Sequence, residues 1–241
     1  MRPSAWRAAW AVYKNELRLL AVSWLGAVFL SAFWGLGGLF FLVGIGTTGE
    51  ASLRPAVGNL AITLLFLVPM VTMRQLADEA RSGTLELALT APVSSPALLV
   101  GKWAAVVSLV GVGIAGSAPW LAVLWRFGEP DLGLAVAHLL GLWLVGGLCA
   151  AAGLFASSLT TESMVAGVLA VVLLLPTWLA SAGRAVAPAV AQPWLDRVAV
   201  LERLRTLAIG GIDSGDLVWF ACATLGWLFL AWRVLESRRW S

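Results

Sequence analysis

The chain has 241 residues, of which 60% are hydrophobic and 12% charged, with a formal charge of +3 and a mean hydropathy of +0.90. Soluble domains carry about a quarter charged residues, so this composition excludes them and defines an integral membrane protein. The basic balance sits at the ends of apolar runs, where anionic lipid and the membrane potential account for it, and no nucleic acid is implied as a partner.

The first predicted element is a helix over residues 3–20. At 100° per residue Trp6, Trp10, Tyr13, Leu17 and Leu20 share one narrow face, and Arg7, Lys14 and Arg18 share its flank. Such a helix is expected in the headgroup layer of the membrane, aromatics inward and cations on anionic lipid. A secretory signal is the competing reading. The following apolar run, residues 19–46, is too long for one and ends without a clear cleavage site.

Six spans are predicted at residues 19–45, 57–73, 98–125, 132–157, 164–182 and 217–235. Pro69, Pro119 and Pro176 fall inside the second, third and fifth, where each can kink the helix. Trp103 and Trp125 lie near opposite ends of the third span and are expected as interfacial anchors. Lys and Arg are in excess on the side of the termini, which places both termini in the cytoplasm of an inner-membrane, multi-pass protein. The whole chain, residues 1–241, is expected as one transmembrane domain. Its parts are the interfacial helix (1–18), spans 1–5 with a polar loop at 74–97 (19–182), an outer amphipathic segment (183–215), and span 6 with its tail (216–241).

The longest early polar interruption, residues 73–102, joins the second and third spans. Ser82-Gly83 breaks the arriving helix, Thr84 can cap a new one, and Leu85, Ala88 and Leu89 share a face that Glu86 leaves. Thr90-Ala91-Pro92 ends that short helix, and Ser95-Pro96 is expected as N-cap and first residue of the next span. A short amphipathic helix held between two spans can pass force from a soluble partner into the membrane. An ordinary surface turn between spans is the competing reading.

In the outer segment Leu195, Val198, Leu201, Leu204 and Leu207 recur every third residue between charged positions. This predicts an amphipathic helix at the outer interface or partly re-entrant, with a helix floating on the outer leaflet as the alternative. Gly111, Gly113 and Gly116 spell a dinucleotide fingerprint, but they lie inside an apolar span with no strand or turn before them. Close helix packing through small residues is expected there and at Gly147 and Gly153. Gly101-Lys102 fails as a phosphate loop, because Pro96 and Trp103 stand where Gly and Ser or Thr are needed. His138 is the only histidine, and Cys149 and Cys222 both lie in apolar runs, so no metal centre, disulfide or catalytic set is expected.

The run from Glu79 through Ser94, with Gly101-Lys102 after it, resembles the cytoplasmic loop of ABC-2 type permeases. Within them it is most similar to the gliding-motility and nitrous-oxide-reductase-maturation branch. The likeness returns in Ser157-Ser-Leu-Thr-Thr-Glu-Ser-Met-Val-Ala and in the tail, from Gly211 to Phe220 and from Leu235 to Trp240. The resemblance implies an all-α membrane protein of the type V exporter kind: six transmembrane helices, an interfacial helix and a cytoplasmic coupling helix. It assigns coupling to a separate ABC ATPase to Glu79, Ser82, Gly83, Thr84, Leu85, Glu86, Leu87, Thr90, Pro92 and Val93. It further implies a second permease subunit, as a homodimer or a pair, ATP and magnesium bound by the partner ATPase and none by this chain, and, in that branch, room for an envelope accessory protein. The expected function is export across the inner membrane, driven by the partner. A membrane scaffold that recruits an ATPase or envelope partner without moving a substrate is the alternative.

Overall fold

A computed structural model of the chain describes residues 5–48, 54–86, 94–127, 131–183, 187–188, 190, 192–208 and 213–239. Helices α1 (Ala5–Val22), α2 (Trp24–Thr48), α3 (Arg54–Arg81), α4 (Ser95–Ala115), α5 (Ala118–Phe127), α6 (Leu132–Leu159), α7 (Ser163–Gly183), α8 (Gln192–Val198), α9 (Val200–Ala208) and α10 (Ser214–Arg239) follow in order. Six helical stretches are long and apolar enough to cross a membrane: Trp24–Thr47, Ala56–Arg81, Ser95–Arg126, Leu132–Leu159, Ser163–Gly183 and Ser214–Arg238. The all-helical, six-span expectation holds.

The first span begins later than its hydropathy suggests. Ser23 ends α1 by donating its hydroxyl to Leu20 O (2.9 Å) and starts α2 by accepting the Gly26 amide (3.0 Å), the bond an N-cap makes to the third helical residue. A Cβ on Gly26 would lie 2.0 Å from Leu20 O, so the turn requires glycine. The α1 helix does not simply lie among headgroups. It packs lengthwise on α4: Ala8 and Ala9 cluster with Ala97, Gly101 faces Ala9 O at 2.8 Å from its would-be Cβ, and the hydroxyls of Tyr13 and Ser108 are 3.1 Å apart. The buried face is therefore the alanine and Leu20 face, while Trp6 and Trp10 stay 75% and 48% exposed.

The third span is broken, not continuous. Ser117 Oγ donates to Ile114 O (2.6 Å) and the Trp120 amide bonds Ser117 O (2.9 Å), turning the chain between α4 and α5. Trp34 fills the break: its indole donates to Gly113 O (2.8 Å) and occupies the space a Cβ on Gly116 would need, 2.3 Å away. Pro119 consequently lies in the first turn of α5, where its missing N–H costs nothing, and it kinks no helix interior. Helices α3 and α7 continue through Pro69 and Pro176. The N-cap of α4 is Ser94, one residue before the expected position, with Pro96 in the first turn.

The centre is α6, with 72% of its apolar window buried against 17% for α10. It touches α3, α4, α7, α9 and α10. Small residues set the close crossings. A Cβ on Gly153 would lie 2.0 Å from Thr72 Oγ1, and one on Gly146 2.6 Å from Val110. The glycines of the fingerprint-like run face aromatics: Gly111 faces Trp143 at 3.6 Å and Gly113 faces Phe33 at 3.3 Å, while Gly147 faces Trp103 at 3.6 Å. Trp103 is no simple interfacial anchor, since its indole donates to Gly147 O (2.9 Å). Trp125 is 62% exposed.

The segment between the last two spans includes two short helices, and α9 is packed against the bundle. Val200, Leu204 and Leu207 are buried, and Leu207 and Leu204 lie 3.3 and 3.6 Å from a would-be Cβ on Gly141 of α6. A period of three drifts around a 3.6-residue helix, so Val198 is exposed and the spacing 200, 204, 207 carries the packing. Arg203 then fastens α9 to the start of α10. It donates to Asp216 Oδ1 at 2.7 Å and lies 4.6 Å from the ring centroid of Trp219.

Candidate functional site: the α3–α4 turn and its anchor

The α3 helix runs well past its apolar part because other helices replace the water its polar turns would need. Ser157 of α6 donates to Met73 O (3.0 Å) and accepts the amides of Leu76 (3.1 Å) and Ala77 (3.0 Å). A side chain thus enters the hydrogen-bond ladder of α3, one of the recognised causes of a bend. One turn further on, Ser163 of α7 donates to Asp78, whose other oxygen takes Arg74 at 2.7 Å. Arg81 and Glu162 are 3.7 Å apart and both exposed, a pair worth little in water.

Gly83 ends the helix with φ +72, the left-handed conformation that a Cβ disfavours. Ser82, Gly83, Thr84 and Glu86 are exposed. The Thr84 hydroxyl donates back to Glu79 O (3.3 Å) and lies 2.8 Å from Ser82 Oγ, which closes the turn on itself. Residues 84–86 are helical, as the sequence predicts for the start of the short helix. Leu87, Thr90, Pro92 and Val93 lie outside the described residues. Leu85 is the root: it is 4% exposed, clustered with Leu76, Leu98, Leu99, Leu154, Ala231 and Leu235. Burying such a leucine contributes about 2 kcal/mol. It links the exposed turn to α3, α4, α6 and α10 together.

Beneath the turn lies a buried ionic centre. Lys102, 1% exposed, directs its ammonium to Glu16 Oε1 of α1 (2.6 Å), Glu79 Oε1 of α3 (2.7 Å) and Gln75 O (3.1 Å). All three of its protons are used, the arrangement a desolvated ammonium needs. Glu79 therefore faces inward to the lysine. Beside it, Glu79 Oε2 and both amide atoms of Gln75 are buried without a hydrogen-bond partner among the described residues. At the far edge Ser95 donates to Glu236 of α10 (3.3 Å). The described residues of three stretches that carry the resemblance, 79–86 with 94–102, 157–166 and 235–239, thereby meet at this end of the bundle, while the described part of the fourth, 213–220, lies at the opposite end of α10.

Sequence reasoning missed the ionic centre. Lys102 reads there as a span-end cation and Glu16 is not singled out. The available signal was Glu16 itself, the lone carboxylate on a basic helix. It missed Ser157 as a ladder residue too, because a hydroxyl's partner on another helix leaves no periodicity.

Six apolar helices and a short polar turn rooted in four of them define a multi-pass membrane component. Residues 46–200 match the family described as ABC-2 family transporter protein. The chain belongs to the ABC-2 transporter family, as a membrane permease, and this family has no catalytic activity of its own and pairs with an ABC ATPase. No curated protein matches the chain.

Proposed function

We propose that the chain is the permease subunit of an exporter in the inner membrane, with both termini cytoplasmic and the Ser82–Glu86 turn docked on a separate ATPase. The observation that carries this reading is the pairing of Leu85 with its neighbours. A solvent-exposed turn has its one apolar side chain planted among α3, α4, α6 and α10, so a displacement of the turn is felt by four helices at once. ATP and magnesium are held by the partner. Closure of the ATPase dimer shifts the permease between two states only insofar as the turn engages the partner differently in each. A second permease subunit completes the pathway. The likeness of the three motifs to the gliding-motility and nitrous-oxide-reductase-maturation branch is carried as part of this reading.

The test uses the full chain co-expressed with its ATPase in vesicles. Glu86→Arg is expected to lower ATPase stimulation while leaving insertion and thermal stability of the spans unchanged, and Gly83→Pro is expected to lower it with insertion intact, at a stability cost confined to the turn because proline cannot adopt the φ of +72. A Ser82→Cys variant is expected to cross-link to the ATPase. Undiminished stimulation in both substitutions would overturn the assignment of this turn, and labelling of Ser82→Cys by an impermeant reagent from outside intact cells would overturn the orientation.

A further inference from the structure

We propose that the groove between α1 and α4 is a binding site for one anionic phospholipid, with an acyl chain in the groove and the phosphate on the cationic flank of α1. The groove encloses about 240 Å3 and is walled by Trp6, Trp10 and Tyr13 on one side and by Val100, Ala104 and Ser108 on the other. Its lining is mostly apolar: the Tyr13 and Ser108 hydroxyls bond each other, and the remaining side-chain polar groups are the indole N–H groups of Trp6 and Trp10. It therefore offers hydrocarbon a surface and a polar ligand little. Trp10 and Tyr13 stack at 5.1 Å, which holds the wall rigid.

Charge selects the head. Lys14 Nζ stands 5.3 Å from the centroid of the Trp10 ring that walls the groove. Arg7 and Arg18 are exposed on the same flank, and none of these three cations meets a carboxylate among the described ion pairs. The one acid of α1, Glu16, is turned the other way onto Lys102. The occupant must combine a long apolar part with a negative head. The groove belongs to a six-span membrane protein and lies on the helix directly before the first span, where Leu19, Val22 and Trp24 are exposed, which makes that occupant a lipid and not a soluble acidic peptide.

The experiment places the full chain in phosphatidylcholine nanodiscs with a trace of acyl-chain diazirine probe, either phosphatidylglycerol or phosphatidylcholine, followed by peptide mapping after illumination. The phosphatidylglycerol probe is expected to mark α1 and the first half of α4 several-fold more than the phosphatidylcholine probe. Lys14→Gln, on an exposed side chain that folding does not need, should reduce that preference about fivefold. Ala104→Phe fills the groove and should remove labelling there by both probes while labelling on α7 persists. Equal labelling by the two probes, or labelling indifferent to both substitutions, would mean bulk annular lipid only and overturn the site. A disulfide-linked dimer formed by Trp10→Cys in the same nanodiscs would assign the groove to a second copy and equally overturn it.

Discussion

Lys102 Nζ lies 2.7 Å from Glu79 Oε1 across the α3–α4 crossing, and the same ammonium holds Glu16 of α1 at 2.6 Å. One buried positive charge thus fixes two carboxylates that precede and underlie the exposed Ser82–Glu86 turn. Removing it leaves both desolvated and unpaired. We expect Lys102→Met to destabilise the protein by about 3–5 kcal/mol, read as a fall in thermal midpoint in detergent. Adding Glu16→Gln and Glu79→Gln to that variant should recover most of the loss, because neutral amides carry no stranded charge. A triple variant as unstable as the single one would contradict the ionic account.

Ser157→Ala deletes a hydroxyl that serves Met73 O and two α3 amides. Loss of these buried bonds should cost about 1–3 kcal/mol. The effect is local, so amide hydrogen exchange should accelerate at residues 73–81 and stay unchanged on α4. Uniform acceleration across the bundle would show a general packing defect instead.

Gly83 has open space where a Cβ would go, so substitution there meets backbone strain alone. Gly83→Ala is expected to cost about 1–2 kcal/mol, and Gly83→Asn less, since asparagine tolerates the left-handed region. ATPase stimulation should follow the order Gly, Asn, Ala.

Gly153→Ala drives a methyl onto Thr72 Oγ1, 2.0 Å away. Overpacking of this kind costs about 1–3 kcal/mol. Thr72→Ala in the same chain removes the hydroxyl and should return part of the stability. Additive losses in the double variant would exclude the steric explanation.

Arg203 joins α9 to α10 through Asp216 and the Trp219 ring. Arg203→Lys keeps the charge but loses the planar fork that also reaches Arg197 O (3.1 Å). Proteolysis between α9 and α10 should quicken in Arg203→Lys while the far end of the bundle remains protected.

The apolar runs made the six spans and their order legible, because length and hydropathy act within one segment. The Ser82-Gly83 break and the helical start after it were legible for the same reason: a left-handed glycine is a local requirement. What escaped the sequence was set between segments. Ser23 and Gly116–Ser117 interrupt helices inside unbroken apolar composition, and only Leu20 O and the Trp34 indole explain why the chain turns there. The partners of Lys102 come from two other helices, α1 and α3, and no spacing along the chain links Glu16 to Lys102. Leu204 and Leu207 were read correctly as apolar-face residues, whereas Val200 was missed because a period of three put Val198 and Leu201 on that face instead.

The Ser157 contact also fixes rotational phase. With Met73 and Ala77 pinned against α6, the direction in which Gly83 releases the chain is set by the number of residues in between, at about 100° for each. One residue inserted there would swing the exposed turn about a quarter revolution away from its present heading, whereas seven inserted together would restore that heading two turns farther out.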